Sequence, residues 1–412
     1  MTPSLITRIR RFNQDREPER LGIKYATMRR DPFAFFRGTA HLFHADWPKH
    51  SPLDSTPLTW VSGDLHLENF GSFKGSNGLA YFDLNDFDEA TLAPASRDLV
   101  RFGVSIVLAT RAMRLPAAET RSFISQVHLA YTHALRVGKA MWVERATARG
   151  LVKQLLRAVK DRTRADLLDR RTIRTGDRRR LKIDGVHALA LAPDRKAALA
   201  RVVKRATVCQ ADPVFFRVID VARRVAGTGS LGLRRYTVLV NGHGGRNGNA
   251  LLDIKEAAPS SLMPDGVRQP EWSSQADRVV SIQRRVQAVS PALLHAVRIG
   301  HRSYILRELQ PIEDRLALDA PNEKRRRLCA ALQVMAEVIS SGHLRSSSRE
   351  GSATADEWIA FGHDRGWSRP MSEYAHHYAD IVEAYWREFA QAYDDRAFGA
   401  IEGKGQRVEG RG

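Results

Sequence analysis

Residues 61–70 read VSGDLHLENF and residues 81–90 read YFDLNDFDEA. Two carboxylates, a histidine and an amide are followed within twenty positions by four more acids, in a chain whose formal charge is +19. Carboxylates gathered this closely repel one another unless a cation or hydrogen bonds hold them. In the first stretch Asp64 and Asn69 are separated by four residues, the pattern D-x-x-x-x-N. A phosphoryl-transfer site needs a carboxylate to orient or deprotonate the attacking hydroxyl, and an amide oxygen nearby to help hold a metal. One tight loop can carry both. The strand-like YFDLN then delivers Asp86, a hard oxygen ligand suited to Mg²⁺. Asp and Asn also favour caps and turns, so either stretch alone has a structural explanation; the two in succession point to a site.

Composition bounds the rest. A chain of 412 residues can form two or three compact units. Cys209 and Cys329, 120 positions apart, supply neither a disulfide framework nor a metal spacing. The opening MTPSLITRIRRFNQ lacks the apolar run of a secretory signal. The longest apolar stretch, FGVSIVLATRAM, is interrupted by Thr110 and Arg111 and falls short of a membrane span. A cytoplasmic location is therefore expected. The excess of Lys and Arg, 65 against 46 acids, suits a surface that meets phosphate groups. Its densest part, RTRADLLDRRTIRTGDRRRLK at 162–182, has nine basic residues and no aromatics to stack on bases. Nucleic acid stays open as a partner without being favoured.

Working outward from the acidic loops, short strands are expected at 58–61 and 79–84. The aromatic cluster FAFFRGTAHLFHADW precedes them, with Phe33, Phe35 and Phe36 expected in the core. Leu99, Phe102, Ile106 and Ala109 form one helical stripe, and helix is expected to continue over 117–160. Near residue 215 the texture turns β-rich: YTVLVNG and NALLDIKEA flank the turn-forming NGHGGRNGN. SYILREL is a further strand, after a helix over 276–288. From 323 onward Leu328, Ala331, Leu332, Met335, Val338 and Ile339 repeat at helical spacing, as do Tyr374, Tyr378, Ile381, Tyr385 and Phe389.

The stretch AGTGSLGLRRYTVLVNG sets Gly227, Gly229 and Gly232 in G-x-G-x-x-G. A dinucleotide fold follows this string with a helix. Here a strand follows, which fits a hairpin closing over phosphates. In LLDIKEA, Lys255 sits in an apolar strand, where an unpaired ammonium is costly unless phosphates and a carboxylate neutralise it. An edge-strand lysine facing water is the alternative.

These pieces resemble the protein-kinase-like superfamily, especially aminoglycoside and other small-molecule phosphotransferases. There the catalytic loop reads H-G-D-x-x-x-x-N and the metal strand ends in I-D-[FW]-x-D-A. Ser62-Gly63-Asp64 to Asn69 and Asp86-Phe87-Asp88-Glu89-Ala90 are similar, with Ser62 in the histidine's place. Asp98 in PASRDLVRF resembles the structural aspartate that follows the metal motif. Through FAFFRGTA, GDLHLENFG, DLNDFDEA, LLDIKEA and YILREL, in order over most of its length, the chain resembles a bacterial family catalogued as domain of unknown function 2252.

The superfamily resemblance implies an α+β, two-lobed protein-kinase-like fold with a β-rich nucleotide lobe and a mainly helical large lobe. A conventional kinase places its glycine loop and lysine strand before the catalytic loop. Here they come after it, so a circular permutation is expected. Residues 1–160 would form the catalytic-loop half of the large lobe and 161–209 a basic helical connector. Residues 210–315 would form the nucleotide lobe, and 316–412 the C-terminal helices completing the large lobe. ATP and Mg²⁺ are the implied cofactors, with an unknown hydroxyl-bearing acceptor as substrate. Asp64 would be the catalytic carboxylate that accepts or orients the substrate hydroxyl, and Asn69 and Asp86 would bind Mg²⁺, with Asp88 and Asp83 as reserve ligands. Lys255 would contact the α- and β-phosphates, which backbone N–H groups at Gly227, Gly229 and Gly232 would approach. Glu308, opening the segment 308–311, would lie in the hinge beside the adenine. Candidate partners for Lys255 are Asp277 and Gln283 in ADRVVSIQRRVQ, or Glu271 upstream. Two alternatives stay open. SGDLHL resembles the D-x-H opening of metal-dependent phosphoesterases, although His66 reads better as packing within its loop. A non-catalytic, nucleotide-binding pseudokinase would use the same residues for binding alone.

Overall fold

The computed structural model describes residues 3–176, 178–207, 212–226, 229–245, 247–310, 314–316 and 325–398. Four short helices come first: α1 (Leu5–Asn13), α2 (Pro18–Arg29), α3 (Pro32–Gly38) and α4 (Ala40–Ala45). Proline opens α2 and α3, where its missing N–H leaves nothing unpaired. Asp31 caps α3 by accepting the Ala34 N–H at 2.7 Å. Phe35 and Phe36 are buried as expected, whereas Phe33 is half-buried against the core.

Strands β1 (Leu58–Val61), β2 (Phe70–Lys74), β3 (Ala80–Leu84) and β4 (Thr91–Pro94) follow. β1 pairs antiparallel with β4, and β2 with β3. The loops 62–69 and 85–90 therefore run side by side between the same two strand pairs. Behind them lies α5 (Ser96–Ala112), buried on most of its circumference rather than along one stripe. Each large apolar side chain it buries contributes roughly 1.5–3 kcal/mol, which fixes Asp98 and Arg101 on the same helix against the loops.

α6 (Ala117–Val137) stops at Gly138, whose φ of +65° makes a left-handed C-cap. The continuous helix expected over 117–160 is thus broken. β5 (Val143–Glu144) adds to the edge of β3 before α7 (Gly150–Ala158) resumes. The basic connector holds α8 (Arg164–Arg171), a hairpin of β6 (Thr172–Thr175) and β7 (Arg178–Leu181), β8 (Ala188–Leu189) and α9 (Pro193–Ala206). It is not wholly helical. In the hairpin Arg179 turns inward, pairing with Asp169 at 2.7 Å and donating to Thr172 Oγ1 at 3.0 Å, an alternation that a run of arginines conceals.

The β-rich region comprises β9 (Val218–Arg224), β10 (Arg235–Val240), β11 (Ala250–Glu256), α10 (Gln275–Val286), β12 (His295–Ile299) and β13 (Arg302–Glu308). Its strands form one antiparallel sheet in the order β12-β13-β11-β10-β9-β8. β14 (Asp314–Arg315) then pairs with β2, giving a second sheet in the order β14-β2-β3-β5. α11 (Arg325–Arg345) packs on α6, α12 (Ala355–His363) caps that pair, and α13 (Ser368–Asp394) lies along α5. The architecture is mixed α+β. β2, β4, β9 and β12 go beyond the strands legible in the sequence.

Candidate functional site

The loop 62–69 is held from three sides. Asp98, at the start of α5, accepts the Ser62 N–H at 2.7 Å and the Gly63 N–H at 3.0 Å. Burial pushes its carboxyl up to about 6, and those two N–H groups oppose the shift. Gly63 has a φ of +76°, and a Cβ there would run into the Glu89 carbonyl. His44 of α4 is 2.7 Å from the Gly63 carbonyl through Nε2. Burial pulls the imidazole down to about 3, so it is neutral and donates from Nε2. Asn69 ties this loop to the next one. Its Nδ2 donates to the Asp64 and Asp86 carbonyls at 3.3 and 3.2 Å, and its Oδ1 accepts the Asp86 N–H at 2.7 Å.

Asp64 is thereby fixed with its carboxylate 20% exposed, against the fully buried Arg101. Arg101 Nε donates to Asp64 Oδ1 at 2.7 Å and Nη2 to the Phe36 carbonyl at 3.0 Å, with its guanidinium 4.0 Å from the Phe36 ring centre. Burial lifts Asp64 to about 7; Arg101 opposes the rise while Asp86 and Glu89 add to it. A carboxylate poised near neutrality can accept a proton as readily as it releases one. Arg101 was not legible as a site residue, because an arginine inside a helical stripe looks like a solvated one.

Lys255, near the end of β11, reaches across to the second loop. Its Nζ is 3.5 Å from Asp86 Oδ1 and makes a closer ion pair with Asp88 Oδ2. The candidate partners read from sequence lie elsewhere. Asp277 belongs to the cap of α10, where it meets Ser273 and Ser274, and Gln283 bonds Gln287, which caps the other end of that helix. From that helix Arg278 reaches the loop: its Nη2 donates to the Asp88 and Ala258 carbonyls at 2.8 and 2.9 Å, and Nη1 to that of Ala90. Burial, then Asp86, raises the Asp88 carboxyl, and Lys255 restrains it. Glu89, in the same cavity wall, accepts from Ser261 N–H and Oγ. Asp83 is buried beside Arg345 at 3.4 Å and accepts the Leu84 N–H, so it braces the strand end instead of lining the site.

Asp64, Asp86, Asp88 and Gly229 line one cavity of about 620 Å³. Gly229 is pinned from the N-terminal helices, Arg16 Nη1 donating to its carbonyl at 2.7 Å and Lys24 Nζ at 3.2 Å. Arg16 also holds the Leu231 carbonyl at 2.7 Å, and Gly232 accepts the Glu17 N–H at 3.0 Å. Burial, then Arg16, draws the Lys24 ammonium well below its usual range. Gly227 lies outside the described residues. Glu308 is not brought to this cavity. It pairs with Arg164 at 3.3 Å and lines a separate space of about 1100 Å³ with Gln310, whose side chain bonds both backbone groups of Lys74. His66 packs edge-on to Phe33, with ring centres 6.2 Å apart.

For a divalent cation, Asp86 and Asp88 offer two hard carboxylates already sharing one positive charge, that of Lys255. Asn69 fits less directly: its amide oxygen already accepts the Asp86 N–H and is buried. Among the described residues, no three His, Cys, Asp or Glu side chains form a metal cage. The donor set suits an ion that keeps waters or substrate oxygens as most of its ligands. No helix of the described residues is long and apolar enough to cross a membrane.

A family profile described as an uncharacterized protein conserved in bacteria, DUF2252, matches residues 16–392. No curated protein and no solved structure matches the chain.

Proposed function

We propose that this chain, which belongs to the DUF2252 family, is an ATP- and Mg²⁺-dependent phosphotransferase acting on a hydroxyl acceptor. The observation that carries the reading is the ion pairing of Lys255 with Asp86 and Asp88, two carboxylates that line the cavity holding Asp64. Lys255 lies 169 positions from Asp86 and 167 from Asp88 in sequence, and phosphoryl transfer calls for such groups to be brought together. The succession β9, glycine-bearing turn, β10, lysine strand β11, α10, β12, β13 also supports it, since a kinase-like nucleotide lobe sets its lysine on the third strand and a helix after it. On this reading the fold is two-lobed and circularly permuted, with residues 210–315 as the nucleotide lobe.

Asp86 and Asp88 would hold Mg²⁺, whose charge would offset that of the phosphates, and Lys255 would turn from the carboxylates to phosphate oxygens. The acceptor hydroxyl oxygen would form the new P–O bond as the bond to the β–γ bridging oxygen breaks, the electron pair leaving with ADP. Asp64 would take the hydroxyl proton, and Arg101 would keep the carboxylate aimed. His66, which a phosphoesterase would place on a metal, packs on Phe33, so the phosphotransferase reading is preferred. The test is thermal unfolding with Mg²⁺ and ATP, together with a phosphoryl-transfer screen of hydroxyl compounds. Stabilisation by MgATP above that by Mg²⁺ alone, with transfer abolished in Asp64→Asn, is expected. Absence of any MgATP stabilisation would sink the reading, transfer unchanged in Asp64→Asn would remove Asp64 from the catalytic role, and stabilisation with no transfer by the wild type would assign the protein to the non-catalytic class.

A further inference from the structure

The positive charge of the connector is not spread evenly over its outer surface. Arg162, Arg170, Arg171 and Lys182 converge on a cavity of about 430 Å³, to which β9 adds Arg224. The backbone just past β13, at Leu309 and Gln310, forms another wall. No residue lining this cavity also lines the one that holds Asp64. We propose that this arginine-rich cleft binds a small, multiply charged phosphate anion. The proposal does not rest on the phosphotransferase reading.

Charge balance supports it first. Asp184 is the one carboxylate in the wall, and its bonds are already committed. Its Oδ1 accepts the N–H groups of Val186, His187 and Ala188 at 3.0, 2.7 and 3.0 Å, and Oδ2 lies 3.0 Å from His187 Nδ1. Arg162 pairs with Asp314 at 2.6 Å. Among the described residues, no carboxylate stands within ion-pair distance of Arg170, Arg171 or Lys182. Three like charges around a concave space raise the local potential, and an anion entering it relieves their repulsion.

Rigidity supports it second. Arg224 lies 2.8 Å from the buried Asp253, on which Arg235 also closes through Nε and Nη2 at 2.8 and 2.5 Å. Arg224, which lines the cleft, is thereby ordered, and a preorganised arginine suits phosphate oxygens better than a free side chain does. The Leu309 N–H bonds the Leu251 carbonyl at 2.8 Å, and Gln310 is held to Lys74, so the opposite wall is fixed as well. The volume falls within the roughly 300–1,000 Å³ of small-molecule sites. The wall has no Phe, Tyr or Trp on which a base could stack, which favours a small anion over a nucleic acid strand.

The test is calorimetric titration of the full chain with sodium tripolyphosphate, in EDTA and at physiological ionic strength. Saturable one-to-one binding is expected. A variant carrying Arg170→Ala, Arg171→Ala and Lys182→Ala should bind about tenfold more weakly or worse, since three charge-assisted contacts are lost. A control of equal charge, Arg201→Ala, Lys204→Ala and Arg205→Ala on the exposed side of α9, should bind as the wild type does, as should Asp64→Asn. Should the cleft variant fail to fold by circular dichroism, Lys182→Ala alone should weaken binding severalfold. Equal loss in both triple variants, loss on Asp64→Asn, or no saturable binding would overturn the proposal. So would a short single-stranded RNA that binds through the three cleft cations and is not displaced by tripolyphosphate.

Discussion

Asp64→Asn probes the buried carboxylate without any substrate. Burial raises Asp64 from 3.8 to about 7, even with Arg101 beside it. A shift of that size corresponds to about 4 kcal/mol between the two protonation states. The folded-state pKa is raised, so the group favours folding fully below its unfolded pKa, and that contribution is lost as pH rises through about 7. Asparagine is nearly isosteric and stays neutral at every pH. The variant should therefore match the wild type near pH 4 and exceed it by about 2–4 kcal/mol at pH 8, a change of a few degrees in unfolding temperature. Thermal unfolding of both proteins in EDTA across this range measures the difference, and every other titrating group cancels between them. A difference independent of pH, or a variant that weakens as pH rises, would refute the account of Asp64 as a carboxylate kept ionised against its surroundings.

Three further outcomes follow from the same geometry. Asp253→Asn should lower stability by about 3–5 kcal/mol at neutral pH, because a buried carboxylate shared by arginines is removed. Burial alone would push that carboxyl up, but Arg224, Arg235 and Arg307 outweigh it and hold it well below its usual range; its contribution is present above about pH 4 and lost only in stronger acid, so urea unfolding should give the same deficit at pH 5 and pH 8. Gly63→Ala forces a left-handed backbone and a clash with the Glu89 carbonyl, and should cost at least about 1–2 kcal/mol in the same assay. Lys255→Met should remove most of the stabilisation by MgATP while leaving a folded protein, read by thermal shift and circular dichroism; full retention would show that the lysine does not meet phosphate.

Short-range patterns carried much of this protein in its sequence alone. Strands β1 and β3 beside the acidic loops, the helix α5 and the strand carrying Lys255 follow from hydrophobic periodicity, which depends only on neighbours a few residues apart. Asp64, Asn69, Asp86 and Lys255 stood out because polar groups in apolar surroundings need a reason. What sequence could not rank was the connector, where arginines masked the alternation of a hairpin, and α6, where one left-handed glycine ended a pattern that looked continuous. Tertiary structure alone decided the partners. It set Lys255 against Asp86 and Asp88 rather than an acid of α10, buried Arg101 under Asp64, turned Asn69 into a brace between two loops, and kept Glu308 out of their cavity. Charge pairing acts through space between groups that the chain brings together only when its sheets and helices close, so no spacing along the sequence could have encoded it.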